Sequence, residues 1–342
     1  MTQTAKAKIL IVGAGGFIGG FIADEGLRRG YDVYVTVRES TSRRYLTDGR
    51  LHFVVLDYED AEGMEATLRA TLPEGEKWKY IIYNLGATKC ANFLDFKRIN
   101  FEYLRRFAEC LKAADLVPEK LLYMSSLSAL GAWDEKEGTP ARTDTVPDPN
   151  TAYGLSKVQA ESYLMHMSGI PYVIFRATGV YGPHERDYLM MIKSIDGHFD
   201  FGVGFKPQML TFIYVADLVN AMYDALASDN TTGHIYNIAE ERAYSQKEFR
   251  QIVSRALGGR FVIPVRLPMC IVYVASYVAE KLGRWRGKAS TLNRDKYKIM
   301  RQRNWRCDVS DAQRDFGFKA EWPLERGVAE TVAAYLEGKR RR

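Results

Sequence analysis

Apolar residues follow two rhythms along the first half of the chain. Lys8 to Val12 reads KILIV, a continuous apolar run of strand length. Glycines and a helical stretch to Arg29 follow it. Val33 to Val37, Phe53 to Leu56, Tyr80 to Tyr83 and Lys120 to Met124 repeat the strand pattern, with helical periodicity between them. Thr151 to Ser168 reads as a helix and Tyr172 to Phe175 as a sixth strand. Strands that are apolar on both faces and alternate with helices predict a parallel sheet covered on both sides, a doubly wound α/β domain. Past Val180 the rhythm breaks at Gly202, Gly204 and Pro207. Val215 to Ala227 then reads as a helix and Ile235 to Ile238 as a short strand. Ser245, with Glu248 three residues on, carries a capping-box signature. The expected organisation is a dinucleotide-type domain over residues 1–180. Residues 181–342 then form a smaller α/β lobe, interleaved with the last strands of the sheet and lying over its carboxyl edge.

Composition narrows the class little. Of 342 residues, 46% are hydrophobic and 26% charged, with a formal net charge of +6. Such a chain buries an ordinary core, which excludes disorder, collagen and coiled coil as the main architecture. The charge excess is too small to point to nucleic acid. Cys90, Cys110, Cys270 and Cys307 form no C-x-x-C pair and have no histidine at metal-ligand spacing, so neither a zinc site nor a disulfide framework is expected. With free thiols and no signal-peptide pattern at the start, the expected compartment is the cytoplasm.

Chemistry enters directly after the first strand. Gly13, Gly16 and Gly19 stand in a G-x-x-G-x-x-G pattern at a strand–turn–helix junction, the context in which a glycine loop binds a dinucleotide. Gly13 serves the tight turn, Gly16 lets backbone approach a pyrophosphate, and Gly19 lets the helix pack on the strand. Phe17 and Ile18 carry the first open amides of that helix, where an anion is favoured. The end of the second strand selects the cofactor: an acid there bonds ribose hydroxyls, an arginine pairs with a 2′-phosphate. The residue is Arg38, with Arg43 and Arg44 nearby, so NADP(H) is expected, with NAD as the alternative. Asp57, beside Tyr58 after the third strand, is placed to accept from an adenine amino group or to cap a helix.

Tyr153 and Lys157 form a Tyr-x-x-x-Lys pair on one helix face. An ammonium beside a phenol favours the phenolate, which suits a group that trades a proton with an alcohol or ketone. Upstream, Ser125, Ser126 and Ser128 crowd the carboxyl end of the fifth strand, the edge where ligands bind in such sheets. No residues suggest a metal.

Taken together, these motifs resemble the extended short-chain dehydrogenase/reductase superfamily, also called the NAD-dependent epimerase/dehydratase family, from Ile9 to about Phe318. The resemblance rests on the glycine loop, Asn84-Leu85-Gly86-Ala87, Asn100, Ser125-Ser126, Tyr153 with Lys157, Arg176 through Pro183, and Phe212-Ile213-Tyr214-Val215. It implies a Rossmann fold with Ser126, Tyr153 and Lys157 catalytic. Leu85, Gly86 and Ala87 would line the cofactor, and Thr178 and Val180 would sit by its nicotinamide. It also implies a homodimer built on Asn92 to Ala114 and Thr151 to Ser168.

Three departures indicate a branch. Similar dehydratases carry Thr-Asp-Glu where Ser126-Leu127-Ser128 stands. Nucleotide-sugar members carry an Asn where this chain has Gly179, and an arginine where it has Leu210. Together these imply an NAD(P)-dependent oxidoreductase acting on an apolar alcohol or ketone, with Leu127, Tyr181, Met209 and Leu210 as pocket walls. The alternatives are a nucleotide-sugar epimerase and a non-catalytic dinucleotide-sensing module. The partner is a small-molecule substrate rather than nucleic acid.

Leu267 to Ala279 is thirteen residues without a charge, too short for a bilayer span, which needs about 20. From Lys281 to Arg306 ten basic residues face one acid, Asp295. The first expectation is a buried lid helix followed by a solvated basic face. The second is peripheral membrane contact through 267–306. The last four residues, Lys339 to Arg342, read as a frayed tail.

Overall fold

A computed structural model describes residues 6–90, 92–285, 290 and 292–340. The first half of the chain runs β1 (Lys8–Val12), α1 (Phe17–Arg28), β2 (Asp32–Val37), β3 (His52–Val55), α2 (Ala61–Thr71), β4 (Tyr80–Tyr83) and α3 (Phe93–Lys97). A π-helical turn over Arg98–Glu102 then leads into α4 (Tyr103–Ala113), β5 (Lys120–Met124), α5 (Ala152–His166) and β6 (Tyr172–Ala177). The strands fall where the apolar runs predict them, within one or two residues.

The second half runs β7 (Gly179–Tyr181), α6 (Asp187–Asp196), β8 (Phe199–Val203), β9 (Met209–Leu210), β10 (Phe212–Tyr214), α7 (Val215–Ala227) and β11 (His234–Ile238). It continues through β12 (Tyr244–Ser245), α8 (Gln246–Ala256), β13 (Ile263–Leu267), α9 (Met269–Trp285), α10 (Arg294–Arg301), α11 (Ser310–Phe316) and α12 (Leu324–Arg340).

Seven parallel strands form the central sheet in the order β11-β6-β5-β4-β1-β2-β3. The order reverses between β1 and β4, which opens a crevice at their carboxyl ends, the ligand position of doubly wound sheets. Side-chain alternation explains the two cores. Ile9 and Ile11 face one layer with Ile22 and Tyr223, while Leu10 and Val12 face the other with Leu68 and Phe107. The inner strands are buried on both sides and show no polar alternation, whereas the edge strand β3 keeps Phe53 and Val55 exposed.

The later segments do not separate cleanly from this sheet. β11 is its edge strand, and α7 lies back across α1, where the Tyr223 hydroxyl donates to the Ile22 carbonyl at 2.7 Å. Two-residue and three-residue pairings (β10 with β7, β12 with β9) and the parallel pair β8–β13 build the remainder. Ser245 caps α8 through the capping box with Glu248 that the spacing predicts.

Two expectations fail here. The apolar segment after Leu267 becomes α9, but it is not a buried lid: Ile271 is 54% exposed, Val274 59% and Trp285 81%. The C-terminus is not frayed at Lys339 and Arg340, which end α12, with Lys339 paired to Asp196 at 2.9 Å. Arg341 and Arg342 lie outside the described residues, as do Arg286 and Lys288 of the basic stretch.

Candidate active site

The loop after β1 is shaped by two glycines. Gly13 has φ +83°, a left-handed conformation, and a Cβ there would stand 2.7 Å from the Leu85 backbone. A Cβ at Gly19 would stand 2.6 Å from Ala14 Cα, so only glycine lets α1 close on its own turn. Gly16 opens α1 with no side-chain cap and no acid in the first turn. The amides at Phe17 and Ile18 therefore begin a helix end open to an anion. This cradle, which any side chain would fill, fits a dinucleotide pyrophosphate.

Beneath the loop lies a support that the periodicity did not reveal. The Gly13 amide donates to Thr36 Oγ1 at 3.2 Å, and Thr36 shares a 3.0 Å hydrogen bond with the Tyr58 hydroxyl. Both residues are buried. Tyr58 is stacked on Tyr103 at 5.3 Å, so its side chain braces the loop instead of reaching outward to a cofactor. The available signal was Thr36 itself, a lone hydroxyl in an apolar strand. Asp57 is exposed and accepts the Glu59 amide at 2.9 Å; the cap of α2 is Asp60, not Asp57. Arg38 is exposed at the end of β2, its backbone held in a turn by Thr41 at 3.0 Å. Its charge reaches Tyr58 and Tyr103.

Across the crevice, β4 ends in Asn84 to Ala87, and Asn100 organises this edge. Fully buried in the π-helical turn, Asn100 accepts the Ala87 amide at 2.7 Å. Its amide nitrogen donates to the Ala87 carbonyl at 3.0 Å and to Ser156 Oγ at 2.9 Å. Ser156 in turn donates to the Tyr153 carbonyl at 2.7 Å. One side chain thus ties the backbone beside Leu85 and Gly86 to the helix that carries Tyr153. The wide turn is what aims Asn100 inward, since π segments shift the register of a helix face. Helical periodicity does not announce it.

The Ser126, Tyr153 and Lys157 side chains converge at the carboxyl end of β5. Thr151 caps α5 by accepting the Gly154 amide at 3.0 Å, and Asp295 on α10 accepts the Ala152 amide at 2.8 Å. These two acceptors fix the first turn, on which Tyr153 sits. Ser126 lies close enough to the Tyr153 phenol to favour its ionised form, and its own Oγ accepts the Ser128 amide at 3.2 Å. Lys157 is buried and donates to the Met124 carbonyl at 2.8 Å, with its ammonium 6.0 Å from the Tyr153 ring.

The electrostatics differ from the expectation. Burial, more than any charge, acts on the pair: it pushes Tyr153 up, with Ser126 opposing, and brings Lys157 down to about 8, with Glu161 opposing. The phenol is therefore the protonated form and the lysine largely an ammonium near neutral pH. Glu161, one turn along α5, is locked by Arg176 at 2.7 Å, each side chain 3% exposed, and takes the Ser125 hydroxyl as well. This buried ion pair sits behind Lys157, and spacing does not announce it, although Arg176 opens the Arg176–Pro183 motif.

On the substrate side, a Cβ at Gly179 would overlap the Tyr188 hydroxyl. The space is thus filled by a phenol from α6, packed against Tyr181, Phe212 and Phe249. Tyr181 and Leu127 are buried in the core and are not pocket walls, whereas Met209 and Leu210 keep partial exposure. Val180 is partly exposed beside them, and the Thr178 hydroxyl donates to the Thr211 carbonyl at 2.8 Å.

Comparison with known proteins places the chain in a family. The model of the NAD dependent epimerase/dehydratase family matches residues 9–239. A protein of Methanocaldococcus jannaschii, named provisionally as a UDP-glucose 4-epimerase, is 25% identical over 74% of this chain and 83% of its own. The UDP-glucose 4-epimerase of Thermotoga maritima, solved with UDP-glucose, superposes with a TM-score of 0.75 at 19% identity, covering 97% of this chain and 99% of that one. WbmG of Bordetella bronchiseptica, solved with NAD and UDP, gives a TM-score of 0.76 at 20% identity over 98% and 96% of the two chains. At these identities the likeness to solved structures speaks for the fold.

Proposed function

The chain belongs to the NAD dependent epimerase/dehydratase family, and on that premise we propose that it is a nicotinamide-dinucleotide-dependent oxidoreductase acting on an alcohol or ketone with apolar surroundings. The observation that carries the reading is the convergence of Ser126, Tyr153 and Lys157 on the edge facing the glycine loop. Gly13, Gly16 and Gly19 would take the pyrophosphate, with the amides that open α1. Leu85, Gly86 and Ala87, Thr178 and Val180 would line the rest of the cofactor, and Arg38 would pair with a 2′-phosphate, which favours NADP(H). Once bound, the nicotinamide supplies or accepts the hydride.

The protein's own part is the proton. Ser126 and Tyr153 would both donate to the reacting oxygen. Tyr153, held protonated by burial, suits the reductive direction, in which the oxygen gains a proton as the carbon gains a hydride. The Lys157 ammonium then offsets the charge left on the phenol. Met209 and Leu210, with Tyr188 in the space beside Gly179, offer the substrate a largely apolar wall.

A second reading, a nucleotide-sugar epimerase, is supported by the names of the relatives and by the UDP held in one similar structure. It uses the same proton chemistry and differs in the pocket. Calorimetry and turnover separate the readings. NADP(H) should bind more tightly than NAD(H), and Arg38→Asp should cost about 1.5–3 kcal/mol of NADP(H) affinity. Tyr153→Phe should keep cofactor binding and lose roughly 10²–10⁴ in turnover. Hydrophobic ketones should oxidise NADPH. A UDP-sugar that binds and is epimerised would transfer the assignment to the second reading.

A further inference from the structure

Helix α9 presents an apolar stripe that nothing among the described residues covers. Ile271, Val274, Val278, Leu282 and Trp285 recur at helical spacing on its outer side, and each is at least 46% exposed. The opposite side is anchored: Val272 and Ser276 are buried, Tyr273 packs edge-on against Tyr297 of α10 at 5.3 Å, and Glu280 pairs with Arg294 at 2.9 Å. The stripe is therefore held outward by a fixed support.

It is continued by a second apolar face. β8 and β13 pair in parallel with Phe199 opposite Ile263, Phe201 opposite Val265 and Val203 opposite Leu267. Residues at matched alternate positions share one face. Phe199, Phe201 and Ile263 are exposed, while Asp200 on the other face is buried and paired with Arg250 at 3.2 Å. The end of β8 meets the start of α9, where a Cβ at Gly204 would lie 3.2 Å from Met269 Sδ. Phe205 and Phe261 flank the sheet, 77% and 75% exposed.

We propose that α9 and the β8–β13 face dock on the surface of an anionic lipid bilayer. Charge selects this occupant. Ten basic residues and one acid follow within 281–306. Two of these cations pair with acids outside that stretch, Arg294 with Glu280 and Lys296 with Asp187, while Asp295 is turned to the Ala152 amide, so the stretch keeps a clear cationic excess. Lys281 and Arg301 are exposed, Lys281 beside the stripe itself. An apolar stripe edged by cations, with a tryptophan at its end, matches the boundary between headgroups and acyl chains. No described helix is long and apolar enough to cross a membrane, so the contact is peripheral.

The test uses the full chain and vesicles of phosphatidylcholine alone or with about 30 mol % phosphatidylglycerol. Wild type should sediment with the anionic vesicles and not with the neutral ones, and salt should release it. Its tryptophan emission should move to shorter wavelength on binding, and Trp285→Phe should abolish that shift. Val274→Glu with Val278→Glu, at exposed positions, should keep the circular dichroism and melting temperature of wild type yet reduce partitioning at least tenfold. Absence of wild-type partitioning, or undiminished partitioning of the double variant, would overturn the proposal. So would a concentration-dependent dimer in sedimentation velocity that the double variant dissolves, since a second copy would then be the occupant. None of these readouts depends on catalysis, so they stand or fall apart from the enzymatic reading.

Discussion

Lys157 shows what one side chain costs the fold in order to serve a site. Its amine is buried, and desolvation brings its pKa from 10.5 down to about 8. Between those values the unfolded chain binds a proton that the folded chain does not, so stability rises with pH across that window. Below pH 8 the full burden is present: a shift of this size corresponds to about 3 kcal/mol, partly offset by the hydrogen bond to Met124. Lys157→Met should therefore melt higher than wild type at pH 7, by an amount equivalent to roughly 1–3 kcal/mol. The gap should close as pH approaches 10.5, while turnover falls. Differential scanning calorimetry across that range checks the sign: a wild type that is more stable than Lys157→Met at pH 7 would mean the ammonium is not under strain. Tyr153, Lys157 and Ser126 were legible as residues, because their spacing and their place after β5 are linear features. Their protonation states were not, because burial outweighs the neighbouring charge and burial is a property of the packed chain.

Among elements, the π-helical turn over Arg98–Glu102 does most to define the crevice. It interrupts a helix that reads as continuous from Asn92 to Ala114, and it places Asn100 where three partners meet. Asn100→Ala should cost about 2–4 kcal/mol, since it leaves buried donors and acceptors unpaired and opens a small cavity. Because the loss falls on the Ala87 backbone, cofactor affinity should fall with it, in contrast to a core truncation of equal cost such as Leu111→Ala. Thermal melts and cofactor calorimetry on the two variants make that comparison. The inner strands of the sheet were legible because they are buried on both faces and so largely apolar. Helix α9 was misread for the same reason: an apolar run signals burial, and a helix whose outer stripe stays uncovered looks no different in one dimension. Asp57 and Asp60 make a similar point, since either could cap α2 by type, and only the backbone turn decides.

For the whole molecule, one core connects both halves of the chain. Ile9 and Ile11 of β1 belong to the same packed cluster as Leu324, Val328 and Val332 of α12. A Cβ at Gly327 would stand 2.8 Å from the Tyr181 and Tyr214 rings, so α12 closes directly over the second half of the fold. Unfolding should accordingly be a single cooperative transition, and a chain ending before Leu324 should lose fixed tertiary structure instead of shedding a lobe. A truncated chain that keeps the wild-type near-ultraviolet circular dichroism would contradict this. The arrangement of α9, α10 and α5 has a further consequence. α10 braces the outward stripe on one side and, through Asp295, holds the first amide of the Tyr153 helix on the other. α10 alone thus stands between the proposed docking face and the start of the helix that bears the phenol. If the proposed docking holds and the apolar substrate dissolves in the lipid, enzyme and substrate would meet in two dimensions, and saturation would follow the mole fraction of substrate in the lipid and not litres of buffer. Blank vesicles added at constant substrate would then slow the enzyme, by surface dilution alone.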